Sequence, residues 1–179
     1  MIPLAKIRAI LVYLANNTEK LGKVKLMKLI YFIDFIHVKK YGRPITFDQY
    51  VHIDHGPIPT TIKNLIDDLE DKNSQLSNSI AIEIVKTQRK PMQKIVAKRG
   101  FSEKDRILFS ETELEVLKEV VGKFKYSTSD EIEKASHNEA PWKETNYLDK
   151  IPYSLAARDK DSRLKEEEID LLLKTTWAH

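Results

Sequence analysis

The sequence contains no cysteine. That removes disulfides, thiol nucleophiles and cysteine-based zinc sites together, and it suits a cytoplasmic protein. Glycine is scarce too. The five residues, at 22, 42, 56, 100 and 122, are too scattered to build a phosphate-cradling loop. No apolar run approaches the roughly 18–20 residues that cross a bilayer, so no membrane partner is expected. The opening MIPLAKIRAILVYLANN is apolar only briefly, and no small-residue cleavage site follows it, so it is not read as a signal peptide. A Gly-x-Ser-x-Gly elbow is missing as well. Catalysis lacks equipment, no cofactor site stands out, and the chain is not expected to be an enzyme.

What remains is a globular composition, 41% hydrophobic over 179 residues, enough for one domain with a core spanning 1–179. The net charge of +3 is unevenly spread. Residues 1–100 carry 17 Lys/Arg against 9 Asp/Glu, a net of +8; residues 101–179 carry 13 against 18, a net of −5. Such a split can mark a nucleic-acid or partner surface. It can also mean that two halves of one domain attract each other, and the apolar faces on both halves favour that reading.

Helical spacing of Leu4, Ile7, Leu11 and Leu14 predicts a helix over 4–16. The strongest helix signal is KVKLMKLIYFIDFIHVKKYG, a helix over 24–41 closed by Gly42. Its apolar arc is so wide that the helix must be central, surrounded by others. Asp34 falls inside that arc, where a carboxylate needs a partner or a raised pKa. The remaining strip interleaves Lys25, Lys28 and Lys39 with Phe32 and Phe35. It is either solvated lysine over core phenylalanine edges or part of a binding face. An extended segment over 47–53 follows, then a turn forced by Gly56, Pro57 and Pro59, then a helix over 60–72. SIAIEIVK and PMQKIVAKRG read as two strands of a basic hairpin over 79–98, with Lys86, Arg89, Lys90, Lys94, Lys98 and Arg99 gathered around its turn and second strand. The capping boxes Ser110–Glu113 and Thr128–Glu131 open two helices, 111–124 and one stopped near Pro141. A last helix covers 163–176, and 147–162 reads as irregular.

The fold expected is therefore α+β, mainly α: a compact helical domain around a central apolar helix, with a small β-hairpin at one edge. Helices 4–16, 60–72, 111–124 and 163–176 should enclose the helix over 24–41, and 47–53 could extend the hairpin.

Two constellations raise the question of chemistry. His52, Asp54 and His55 are close in sequence, but in an extended segment His52 and Asp54 share a face and His55 starts on the other, so they do not converge on a metal unaided. A hydrolase built on these three is the weakest reading. The helix-then-hairpin order resembles a winged helix in outline. A recognition helix should present cations and amides to base edges, whereas the helix over 60–72 carries Asp67, Asp68, Glu70 and Asp71, which repel phosphate. A DNA-binding regulator using the basic hairpin is thus an alternative, and nucleic acid is not the favoured partner.

The stretch KLMKLIYFIDFIHVKKYGRPITFDQYVHIDHGPIPTTIKNLIDDL resembles the core of the SocA-like antitoxin family, the Panacea domain, also known as a phage-associated domain of unknown function. The residues that carry the likeness are Lys25-Leu26, Lys28-Leu29, Tyr31-Phe32, Gly42, Pro44 and Gly56-Pro57, and later Ser136, His137, Pro141 and Trp142 in SHNEAPW. The likeness covers about residues 4–150, and the helix over 163–176 should pack on that core. The pattern differs at His55, where an aromatic residue, Lys or Tyr is more usual before Gly-Pro.

The resemblance implies an antitoxin that neutralises a cognate toxin by direct contact, in a toxin–antitoxin or prophage system. One branch of that family acts as a proteolysis adaptor, presenting its toxin to an energy-dependent protease. The first candidate contact is the strip Lys25, Lys28, Phe32, Phe35 and Lys39; the second is the hairpin, with Arg89, Lys90 and Lys94. Asp34, His55, Gly56, Pro57, Ser136, His137 and Trp142 are expected to lock elements together, with Gly56-Pro57 acting as a stiff strand-to-helix elbow.

Overall fold

A helix with almost no polar arc can be stable only inside other elements. The computed structural model, which describes residues 3–70, 74–86 and 91–176, places one there. Helix α1 (Leu4–Asn17) leads through a short loop to α2 (Lys23–Tyr41), every residue of which from Lys25 to Lys39 is buried. Gly42 ends α2 in the left-handed conformation, φ 75°, with its N–H donated to the Val38 carbonyl. A side chain at Gly42 would run into Leu172 and Leu164.

The chain then makes two short strands, β1 (Tyr50–Ile53) and β2 (Gly56–Pro59), paired antiparallel with Ile53 opposite Gly56. The reversal therefore falls at Asp54–His55, and the Gly-Pro-Ile-Pro segment is itself a strand rather than the expected elbow. Prolines fit there because β2 lies at the edge of its sheet. β2 runs directly into α3 (Thr60–Asp67), extended by a 3₁₀ turn at Asp68–Glu70. Asp48 caps α3 from a distance, accepting from the Thr61 and Ile62 N–H groups at 3.0 and 2.8 Å.

Strands β3 (Ile80–Val85) and β4 (Met92–Ala97) form the predicted hairpin. The segment over 47–53 does not extend it. β1 belongs to a separate sheet of order β2-β1-β5, where β5 (Lys150–Ile151) arrives from a hundred residues downstream. Between lie α4 (Glu103–Arg106), α5 (Glu111–Phe124), α6 (Ser129–His137) and α7 (Ala140–Lys143). Both predicted capping boxes are present, and a third, Ser102–Asp105, opens α4. A 3₁₀ segment, Tyr153–Arg158, occupies the stretch expected to be irregular, and α8 (Glu166–Thr176) closes the described chain. α2 packs against α5, α6, β2 and the 3₁₀ segment. The architecture is mainly helical α+β around a buried central helix. Among the described residues no helix is long and apolar enough to cross a membrane.

Candidate functional site

The strip Lys25, Lys28, Phe32, Phe35 and Lys39 is not an outer face. All three lysines are 1% exposed, and both phenylalanines are buried. Each ammonium has a built destination. Lys25 Nζ donates to the carbonyls of Glu19 and Lys125, both at 3.0 Å, tying the loop before α2 to the segment around Lys125. Lys28 Nζ donates to the Pro57 carbonyl at 2.9 Å. Lys39 Nζ lies 2.7 Å from Glu139, 3.0 Å from Asp159 and 3.1 Å from Asp161. Phe32 packs on Phe124, and Phe35 stacks on Tyr31 and meets Tyr50 and Tyr153. Burial lowers the pKa of Lys25, and it takes Lys28 down to about 8 against a weak opposing pull from Glu133. Burial acts the same way on Lys39, but the carboxylates around it outweigh the effect and the net shift is upward.

Asp34 is the hub on the opposite flank of α2. Its carboxylate accepts from the N–H groups of Ile45 and Thr46 at 2.8 and 2.7 Å and from the Thr46 hydroxyl. Tyr50 donates to it at 2.8 Å, and the Tyr153 hydroxyl lies 3.2 Å from it while also reaching the Asp48 carbonyl at 2.6 Å. Burial raises its pKa to about 6, and the hydrogen bonds from Thr46, Tyr50 and Ile45 oppose the rise. Asp34 therefore fastens α2 to β1 and to the 3₁₀ segment.

The histidines of the Tyr50–Pro59 hairpin take separate directions. His52 is buried, shares Nδ1 with the Thr145 hydroxyl at 2.9 Å and stacks on Trp142, with centroids 4.6 Å apart. His137 stacks on Trp142 at 3.9 Å, and the indole donates to the Ile53 carbonyl at 3.3 Å. Asp54 and His55 are exposed at the turn, and His55 reaches Glu133 at 3.4 Å. Ser136 donates to the Glu133 carbonyl and stands beside Gly56. The arrangement docks the β1–β2 hairpin onto α6 and α7. Among the described residues no three His, Asp or Glu side chains are placed to hold a metal ion. His37 lies elsewhere, between the Arg43 carbonyl and the Thr112 hydroxyl.

Of the hairpin cations, Arg89 and Lys90 lie outside the described residues. Lys94 is half-buried in β4, opposite Glu83. The inner face of this hairpin explains more. Ile80 is buried and Ile82 half-buried against the core, but Ile84, next on the same face, is 64% exposed. The strand outruns the body of the protein. Beneath the overhang, Ile84, Pro91 and Met92 border a groove of about 430 Å³ whose other wall is Lys23 and Val24, the latter 46% exposed at the start of α2. Lys86 and Lys98 are exposed and have no ion-pair partner among the described residues. This apolar groove, with Lys23 in its wall, is an outward-facing feature beside the predicted basic hairpin.

The model of one family, described as antitoxin SocA-like, Panacea domain, matches residues 26–143, about two thirds of the chain. No curated protein and no solved structure matches the chain.

Proposed function

The chain belongs to the SocA-like antitoxin family, Panacea domain, and on that premise we propose that it neutralises a cognate toxin by direct protein–protein contact. The family match over α2, the β1–β2 hairpin, the β3–β4 hairpin and α5–α7 carries this reading. An antitoxin-like role is a binding role, and the molecule offers outer surface for it. The groove under the β3–β4 overhang has exposed apolar side chains at Val24 and Ile84 and the cation Lys23 in its wall. We place the toxin contact there rather than on α2, whose lysines are already engaged. Handing the toxin to an energy-dependent protease is a further step that capture must precede.

The test is co-purification of the full chain with the product of the adjacent reading frame. The expected result is a stable complex that the double variant Val24→Asp/Ile84→Asp loses while retaining the wild-type melting temperature. Failure to capture that product at micromolar concentrations refutes the toxin reading. Capture that survives the double variant moves the contact elsewhere. Adding a purified energy-dependent protease to the complex tests the adaptor step: faster toxin degradation with the antitoxin than without it supports that step, and an unchanged rate rejects it.

A further inference from the structure

An edge strand leaves a row of backbone N–H and C=O groups facing outward, and folded proteins blunt or cover that row. β2 is blunted. The Thr60 N–H donates to the Gln49 carbonyl, so in the β1–β2 register the groups facing away from β1 belong to Pro57 and Pro59. Neither has an N–H to offer, and Lys28 takes the Pro57 carbonyl. β4 is covered. Its Ile95 N–H donates to the Leu21 carbonyl at 2.7 Å, and Gly22 bridges to Lys94. β5 is only two residues long.

β3 has none of these protections. The Lys98 N–H donates to the Ser79 carbonyl at 2.9 Å, and Ile95, opposite Ile82, points its N–H away from β3. The alternation therefore turns the N–H and C=O groups of Ile82 and Ile84 outward. None of these groups has a hydrogen-bond partner among the described residues. β3 holds no proline, and its pairing with β4 runs unbroken from Ile80 to Val85, without a bulge. The exposed Ile84 side chain adds apolar surface at the same place. Such an edge takes an added strand.

Two charges along the edge select that strand. Glu83 is exposed between the two isoleucines, and Lys86 is exposed just past Val85; neither makes an ion pair among the described residues. A second copy of this chain does not suit them. Pairing Ile82 with Ile84 of the other copy about a two-fold axis sets the Glu83 side chains of the two copies directly opposite each other. We propose that the toxin adds an extended strand antiparallel to β3, with apolar residues opposite Ile82 and Ile84, a cation opposite Glu83 and a carboxylate opposite Lys86. Naming the toxin as the source of that strand rests on the toxin reading above. Edge strands of folded proteins commonly carry lysine, which is the residue Glu83 calls for.

The probe is a disulfide-closed β-hairpin peptide, ordered in advance, whose free edge reads Glu-Thr-Val-Lys-Val-Thr. It is titrated into the full chain and followed by backbone amide NMR. Saturable shifts and slowed hydrogen exchange at the Ile82 and Ile84 amides are expected. N-methylation of the two valines removes the peptide donors that face β3 and should weaken binding about tenfold. Exchanging the Glu and Lys of the peptide keeps its composition and should weaken binding about fivefold. Ile84→Pro gives β3 the device that β2 carries. It breaks no hydrogen bond to β4, so the β4 amide signals should stay while binding is lost. No saturable shift at millimolar peptide, equal binding of the methylated or charge-exchanged peptide, or wild-type binding by Ile84→Pro overturns the proposal. So does sedimentation of the free chain as a dimer that Ile84→Pro abolishes, since a second copy would then hold the edge. Toxin capture without peptide binding sinks the added strand alone; peptide binding without toxin capture sinks the toxin reading alone.

Discussion

Gly56 is required for two independent reasons. Its φ of +90° is closed to ordinary side chains, and a Cβ there would come within 2.7 Å of Ser136 Oγ and 2.8 Å of Lys28 Cε. Gly56→Ala is expected to cost about 2–4 kcal/mol, the sum of backbone strain and overpacking. Adding Ser136→Gly relieves one contact and leaves the strain, so urea midpoints should recover only in part; full recovery would mean that the backbone is not strained. Lys28 itself makes a pH prediction. Its folded pKa of about 8 lies below the unfolded value of 10.5. Between those values the unfolded chain binds more protons, so this group makes stability rise with pH, and its cost is complete below pH 8. Lys28→Met deletes that dependence. The stability of the variant relative to wild type should therefore fall between pH 7 and 9.5, by up to about 2 kcal/mol. Parallel urea midpoints of the two proteins across that range would show that Nζ is not the group titrating.

Elements differed in how legible they were, and the reason is range. α2, α5 and α6 could be read because periodicity, terminal glycine and capping boxes lie within one or two turns of the helix they define. The box Ser102–Asp105 carries the same signal for α4. β1 and β2 could not be placed in their sheet, because their third strand, Lys150–Ile151, is recruited from a distant loop. The burial of the lysine strip on α2 follows from a different feature. A helix apolar around most of its circumference leaves no outside, so the same width of arc that made α2 central also required Lys25, Lys28 and Lys39 to be buried and bonded. Asp34 was flagged as needing partners, but Thr46, Tyr50 and Tyr153 come from three later segments. At pH 7.5, above its pKa of about 6, Asp34 is ionised and serves as an acceptor alone. Asp34→Asn turns one acceptor into a donor facing donors and should cost about 2–3 kcal/mol, against about 1 kcal/mol for Tyr153→Phe. Chemical denaturation at that pH checks the order; equal losses would mean that Asp34 does not fasten the two segments to α2.

At the scale of the whole molecule, the division between a basic first half and an acidic second half is largely resolved inside. Lys6 pairs with Glu113 at 2.5 Å, Lys40 with Glu115 and Glu119, and Lys39 with Glu139, Asp159 and Asp161. The charges bring the halves together before any partner is involved. The cations left over are therefore the informative ones, and two of them stand on the β3–β4 hairpin: Lys86 at the end of β3 next to Val85, and Lys98 at the other end of the hairpin beside Ser79. Exposed cations of this kind act through the encounter rather than through the bound state. Association with the toxin should slow as salt rises from about 0.05 to 0.5 M, as the screening length shortens, while dissociation changes little. Lys86→Glu/Lys98→Glu should slow association at low salt and flatten that dependence, with the unfolding midpoint unchanged because neither residue has an ion pair to lose among the described residues. Stopped-flow association rates across the salt series measure both effects. If association in the double variant keeps the wild-type salt slope, the steering charges lie elsewhere, and the basic hairpin is not the face on which the partner arrives.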